Sequence, residues 1–262
     1  MLFQKNEEFP FYRFQNLLAC PEIKHFVSSG VKSIGFTKEM DSGAIRKNRL
    51  CLARAVGFEA NCLVTARQVH SDRVCVVTAC EAGRGGLDRE SRLPDTDAMV
   101  TADAGVCLMV LSADCVPILL YDPVKRVVGA VHAGWRGSAA QIVVATVEVM
   151  REQFGCSPGD LLAGIGPSIG RCCFEVGEEV AVCFRRLFPE AVVFAGKHPG
   201  KFQVDLWEAN RRELMEAGLK PEHIEVAGMC TVCHPGRFFS YRRDGQAAGR
   251  FGAGIVLMES DL

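Results

Sequence analysis

The chain has no apolar run near the roughly 18 residues of a membrane span. Its N-terminus, MLFQKNEEFPFYRF, lacks the basic-then-apolar order of a secretory signal. It also has no excess of charge of either sign: 30 Lys plus Arg stand against 31 Asp plus Glu. No overall field therefore draws it to nucleic acid or to an anionic surface. These absences predict a soluble cytoplasmic protein with no nucleic-acid or membrane partner, recognising a small-molecule substrate locally. The sequence leaves the oligomeric state open. There is no Pro/Gly/Ser-rich linker, low-complexity tract or repeat of about 20 to 50 residues, so residues 1–262 are read as one domain. Both nucleotide fingerprints are missing as well. GRGG at 83–86 has neither the preceding strand nor the spacing of the dinucleotide motif, and no phosphate-binding loop motif with Gly-Lys-Ser/Thr occurs.

What the chain does have is an apolar fraction of 48% and 13 cysteines. An odd cysteine count without a signal argues for thiols rather than a disulfide framework. Cys20, Cys51, Cys62, Cys75, Cys80, Cys107, Cys156 and Cys183 mostly sit among apolar neighbours and read as small core residues. The region from Asp97 to Ala133 alternates β-prone runs with turns, and its nearly unbroken apolar runs VCLMVL and VPILLY suit adjacent strands covered on both faces. SAAQIVVATVEVMREQF, from a Ser138 cap to Gly155, has helical spacing, as do EVGEEVAVCFRRLF and VDLWEANRRELMEAG. HIEVAGMC, RFFSYRRDG and RFGAGIVLME read as three closing strands. The expected fold class is α/β, a single compact domain with a mixed central sheet flanked by helices.

Six histidines limit where imidazole chemistry can lie. His25, His198 and His223 fall in polar or turn-like settings and read as solvated. His70, in ARQVHSDRV, and His132, in GAVHAGWRG, end β-prone stretches, where side chains line clefts. Cys115, in SADCVPILL, adds a thiol at a strand start. Two imidazoles and a thiolate suit zinc, whose catalytic sites keep three protein ligands and an open fourth position. The same residues permit a Cys115 thiolate nucleophile with His132 as base. HAGWRGS runs into the Ser138 helix, where Arg136 is placed to meet an anion, and Arg242, Arg243 and Arg250 can reach phosphate or carboxylate. CTVCH, Cys230 to His234, matches the haem-attachment pattern and half of a zinc ribbon. The first belongs to exported proteins and the second needs another C-x-x-C, which the chain lacks.

Several motifs in order carry a family resemblance: Asn48 and Arg49, QVH at Gln68 to His70, DAMVT at Asp97 to Thr101, ADCVPIL at Ala113 to Leu119, VHAGWRG at Val131 to Gly137, GIGPSIG at Gly164 to Gly170, and CT with FFSYRRDG between Cys230 and Gly245. Together they resemble the laccase-domain family, also described as multicopper polyphenol oxidoreductases and as zinc-dependent purine nucleoside phosphorylases. The resemblance implies a metal on His70, Cys115 and His132. It implies phosphorolysis of adenosine, inosine and methylthioadenosine, with adenosine deamination as a further activity, and a fold similar to cysteine-hydrolase toxins. Some members of the family are linked to editing of peptidoglycan precursors.

A multicopper laccase needs many imidazoles in His-x-His pairs, and this chain has none. Zinc is therefore the expected cofactor, with copper binding possible in vitro because copper(II) takes nitrogen and sulfur sites more tightly. With a purine nucleoside and phosphate as substrates, Arg49, Arg136 and Arg243 are expected to steady phosphate or ribose oxygens and Gln68 to bond the nucleoside. Asn48 and Ser240 join the candidate substrate contacts. Asp97 and Asp114 are candidate proton shuttles, and Asp114 is also read as the residue that orients a metal-bound histidine. The rival readings on the same residues are an amidase acting on a peptidoglycan precursor and a non-catalytic metal-binding protein.

Overall fold

Strands in which every residue is apolar show no alternation in sequence, yet each must still divide its side chains between two faces. In the computed structural model, which describes residues 1–36, 41–189 and 191–259, this division builds layers. The strands run in chain order as β1 (Leu2–Gln4), β2 (Phe11–Arg13), β3 (Ile23–Ser28), β4 (Leu63–Val64), β5 (Val74–Val76), β6 (Ala98–Thr101), β7 (Cys107–Ser112) and β8 (Val116–Asp122). They continue with β9 (Val127–Ala133), β10 (Leu162–Ile165), β11 (Glu175–Val176), β12 (Val193–Ala195), β13 (Phe202–Val204), β14 (Ile224–Val226) and β15 (Phe251–Leu257). The α-helices are α1 (Gln15–Leu18), α2 (Ser42–Val56), α3 (Trp135–Ala139), α4 (Ile142–Phe154), α5 (Glu178–Leu187), α6 (Leu206–Glu216) and α7 (Tyr241–Asp244).

The fold is a single compact α/β domain with mixed sheets flanked by helices, and its long strands divide between two six-stranded sheets. One has the order β1-β2-β3-β15-β7-β4 and the other β14-β10-β8-β9-β6-β5, while β11, β13 and β12 form a small third sheet. Each large sheet is antiparallel except at its margins, where β4 pairs with β7, β14 with β10, and β5 with β6 in parallel. Leu108 and Val110 of β7 meet Leu119, Tyr121, Val128 and Ala130 of β8 and β9 in one buried layer between the sheets. The alternate residues Ile118, Leu120 and Val131 pack instead on Val143, Val147 and Met150 of α4 and on α5 and α6. Cys107 and Met109 pack outward with Leu52 of α2. Burying each such side chain contributes about 1.5 to 3 kcal/mol, so both faces of each strand help hold the stack.

Four details differ from the sequence expectations. β7 and β8 lie in different sheets rather than side by side, so residues 113–115 carry the chain from one sheet to the other. The helix expected from Ser138 starts at Trp135 and breaks at Gln141, which is left-handed (φ 59°), before α4 runs on to its Gly155 cap. Ser138 is buried, and its hydroxyl accepts from the Asn210 side chain. RFFSYRRDG makes no strand: Ser240 caps the single turn α7 by accepting the Arg243 N–H. His25, read as solvated, is fully buried, where Nε2 accepts the Phe14 N–H at 2.9 Å and burial lowers its pKa to about 3. Among the described residues no helix is long and apolar enough to cross a membrane.

Candidate active site and metal centre

The β8–β9 hairpin sets the geometry. In its register Val116 faces Ala133 and Pro117 faces His132, so the start of β8 and the end of β9 lie at one edge of the sheet. Cys115 sits just before β8 at that edge, and His132 is the penultimate residue of β9. His70 comes from the loop after β4 in a left-handed conformation (φ 62°). The ligand atoms of His70, Cys115 and His132 lie within 4.8 Å of one another. His70 and His132 meet edge to face with ring centroids 4.9 Å apart.

Asp97, immediately before β6, organises both imidazoles. Its Oδ1 accepts from His132 Nδ1 at 2.9 Å and from the His70 backbone N–H at 3.0 Å, while Oδ2 accepts the N–H and hydroxyl of Ser71, each at 2.8 Å. With Nδ1 held by a carboxylate, the ring of His132 has only Nε2 left for Cys115 or a metal. Burial opposes charge here, but the neighbours outweigh it. The His132 and His70 imidazoles bring the Cys115 thiol down to about 6. The Cys115 thiolate and the Asp97 carboxylate raise His132 to about 9. Bonds from His132 and Ser71 hold Asp97 well below the usual carboxylate range. The shifts describe a Cys115 thiolate paired with a His132 imidazolium, the form an electrophile requires, and a metal binding there would displace the His132 Nε2 proton.

Gly134 completes this corner. A Cβ on it would stand 2.9 Å from the His70 ring and 3.0 Å from Cys115 Sγ. Only glycine lets β9 turn into α3 so close to the ligands.

The three residues open onto a cavity of about 560 Å³, lined also by Gln68, Asp114, the aromatic rings of Phe36, Trp135, Phe174 and Tyr241, and the guanidinium-bearing Arg92, Arg242 and Arg250. Arg242 lies over Phe174 and Arg250 over Tyr241 at 5.6 and 6.0 Å. Arg92, Phe36 and Phe174 carry no local signal in the sequence, whereas Trp135 and Tyr241 lie inside the VHAGWRG and FFSYRRDG motifs, which do not by themselves show that these rings face the cavity.

The other expected site residues are placed as follows. Gln68 bonds the backbone of Leu111 through both ends of its amide, 2.8 Å each. Asp114, at φ 94°, accepts from the Thr231 hydroxyl and the Arg242 backbone N–H, so the carboxylate that orients His132 is Asp97 and not Asp114. Arg136 is exposed and stacks on Trp135 at 4.2 Å. Arg49 is buried, donating to the carbonyls of Ile34, Gly85 and Gly86, and Asn48 donates to the Ser33 carbonyl. Arg243 donates to the carbonyls of Thr231 and Phe238 and pairs with Asp244. Arg49, Asn48, Arg136, Arg243 and Ser240 are therefore not among the residues that line the cavity. Arg49 instead ties α2 to the Gly85–Gly86 turn.

Comparison with known proteins now bears on this geometry. Residues 30–258 match the family described as multi-copper polyphenol oxidoreductase laccase. The chain belongs to that family. A relative named purine nucleoside phosphorylase, from Bacteroides thetaiotaomicron, is 36% identical over 215 residues, covering 81% of this chain and 80% of that protein. Another, named adenosine deaminase RL5, from an unknown prokaryotic organism, is 37% identical over 229 residues, covering 87% of each. The crystal structure of YlmD from Geobacillus stearothermophilus is similar at a TM-score of 0.91 and 32% identity over 98% of this chain and 99% of that one. In this member of the polyphenol oxidoreductase laccase family the described residues bring two histidines and a cysteine together at the cavity and leave His25, His198, His223 and His234 apart from them. Such a donor set fits one three-ligand ion and not a trinuclear copper centre.

Proposed function

We propose that this chain is a zinc-dependent purine nucleoside phosphorylase, with adenosine deamination as a second activity of the same cavity. The observation that carries the reading is the His70, Cys115 and His132 set opening onto a cavity walled by aromatic rings and arginines. Two imidazoles and a thiolate, with Asp97 orienting one imidazole, fit zinc with an open position toward the cavity. When bound there, zinc supplies Lewis acidity toward a substrate oxygen or water.

The chain's own residues account for the rest. Phe36, Trp135, Phe174 and Tyr241 give a purine base flat apolar surfaces on which to stack. Arg92, Arg242 and Arg250 supply guanidinium donors for phosphate. Phosphorolysis then joins a phosphate oxygen to the ribose C1′ as the glycosidic bond breaks and its electrons leave with the purine. The arginines hold the anionic nucleophile against the sugar, so the step is helped by proximity and charge. Relatives named purine nucleoside phosphorylase and adenosine deaminase support both activities. Copper in vitro is a competitor for the same ligands, not the proposed cofactor.

The test is to incubate the purified protein with adenosine or inosine, with and without phosphate, and to measure its zinc. Phosphate-dependent release of the base, lost together with the metal in Cys115→Ala, is the expected result. Release of a free amino acid from a peptidoglycan precursor, with no nucleoside turnover, would replace this reading by the amidase one. Full nucleoside turnover in a metal-free Cys115→Ala protein would remove zinc from the reaction.

A further inference from the structure

The CTVCH motif has no second C-x-x-C in the sequence, yet the fold supplies two more thiols. Cys172 and Cys173 follow GIGPSIG in a loop after β10, and the loop carrying Cys230 and Cys233 follows β14, the parallel neighbour of β10. A bridge between Ser168 and Cys230 aligns the two loops. The four sulfur atoms converge within 4.8 Å of one another, and all four residues are free thiols. Cys233 Sγ lies 3.7 Å from Cys172 Sγ and 3.5 Å from Cys173 Sγ.

Four thiolates around one zinc at Zn–S distances of about 2.3 Å have sulfur–sulfur edges of about 3.8 Å in a tetrahedron. The separations of Cys233 from Cys172 and Cys173 are close to that edge, and none of the others exceeds 4.8 Å. A cluster of two or more irons spreads its cysteines wider than these four sulfurs lie. The backbone is arranged for a thiolate too: the Gly170 N–H donates to Cys230 Sγ at 3.3 Å, and the N–H groups of Val232 and Cys233 point at the same sulfur. Turns that aim several N–H groups at one cysteine stabilise its negative charge as hydrogen bonds do for any anion.

We infer that Cys172, Cys173, Cys230 and Cys233 form a second metal site, a closed structural centre for one tetrahedral zinc ion, separate from the His70, Cys115 and His132 set. Four protein ligands leave no open position, so the site clamps rather than reacts. What it clamps is the wall of the cavity. Thr231, between two of the ligands, donates to Asp114 Oδ1 at 2.5 Å. Ile169 donates its N–H to the Asp114 carbonyl at 2.9 Å, and Arg242 reaches the Cys173 carbonyl at 3.0 Å. Joining the two loops fixes Asp114, and with it the backbone that presents Cys115.

The inference is independent of the substrate. Protein purified under reducing conditions without chelator should carry two zinc ions per chain by elemental analysis. The variant Cys172→Ser/Cys233→Ser, which alters the two most exposed thiols, should carry one zinc and melt at a lower temperature. Cys115→Ala should also carry one zinc, while keeping the intense near-ultraviolet sulfur-to-cobalt absorption of a four-thiolate centre after cobalt(II) substitution. Should the double variant fail to fold, cobalt(II) titration of metal-stripped wild-type protein still decides, since two equivalents bound, one with four-thiolate absorption, are expected. Saturation without four-thiolate absorption, an unchanged zinc content in the double variant, or iron at these thiols would each overturn the proposal, whereas a single equivalent with that absorption would keep it and remove the metal from His70, Cys115 and His132.

Discussion

One Asp97 carboxylate holds His132 by its ring and His70 by its backbone, at 2.9 and 3.0 Å. Asp97 therefore fixes two candidate metal ligands that are 62 residues apart in sequence. Asp97→Ala frees the His132 ring to rotate and leaves the N–H groups of His70 and Ser71 without their acceptor. Loss of a carboxylate that orients a metal-binding histidine typically costs about 10- to 100-fold in metal affinity. Zinc affinity by chelator competition should fall by about that factor while the circular dichroism spectrum is retained. Unchanged affinity would show that His132 needs no orienting partner.

Gly134 offers a sharper probe, because a single methyl group can be aimed at the ligands. In Gly134→Ala the new Cβ would press on the His70 ring and Cys115 Sγ. The backbone here is ordinary for alanine (φ −69°), so the strain falls on the ligands and not on the chain. A ligand shift near 1 Å can cost about 100-fold in rate. Nucleoside turnover should fall by at least about tenfold with a small change in melting temperature, and wild-type turnover would place the ligands elsewhere.

The wall of the cavity predicts a division between substrates. Arg92, Arg242 and Arg250 face the cavity, whereas Arg136 and Arg243 are not among its lining residues. Arg92→Met and Arg250→Met should raise KM for phosphate by about tenfold or more, the cost of losing a charged hydrogen bond, with a smaller effect on KM for the nucleoside. Arg136→Met should leave both within about twofold. The opposite pattern, with Arg136 controlling phosphate, would restore the sequence expectation.

Arg49 should behave as a strut. Its guanidinium is almost wholly buried, has no carboxylate partner among the described residues, and serves the carbonyls of Ile34, Gly85 and Gly86. Burial, with Arg92 nearby, lowers its pKa to about 9. Arg49→Ala strands three carbonyls and should cost about 3 kcal/mol or more of stability. Denaturant unfolding should register that loss, while turnover per folded molecule at low temperature stays within a fewfold. Full stability with abolished turnover would mark Arg49 as a substrate contact.

The division between what was legible in the chain and what was not has a physical pattern. Strands β6 to β10, β14 and β15 and the helices α4, α5 and α6 are readable because apolar runs, spacing and stops such as Gly155 act locally, whereas strands β1 to β5 and β11 to β13 carry too few apolar residues to mark themselves. The allocation of β7 and β8 to different sheets was not, since Leu108 and Leu119 look alike whether their strands are paired or stacked. At the site, the meeting of His70, Cys115 and His132 is legible through the family motifs that carry them. Asp97 was seen as a candidate, but its partnership with His132 depends on β6 pairing with β9. The convergence of Cys172 and Cys173 with CTVCH depends in the same way on β10 lying beside β14.

Glu213 gives a prediction free of the site. It lies on α6 with its side chain fully buried, and neither carboxyl oxygen has a hydrogen-bond partner among the described residues. Burial, with Glu216 nearby, raises its pKa to about 9. A group whose pKa is higher folded than unfolded binds a proton more tightly in the folded state. Its contribution is therefore complete below the unfolded value of 4.5 and is lost as pH rises toward about 9. The loss runs at about 1.4 kcal/mol per pH unit across that window. Glu213→Gln keeps the shape of the neutral acid and has no proton to lose. It should raise the stability measured by denaturant unfolding at pH 8 by about 2 kcal/mol or more, with little change at pH 4.5. An equal effect at both pH values would mean that the carboxyl is already ionised in the folded protein, compensated by a partner or by water reaching α6.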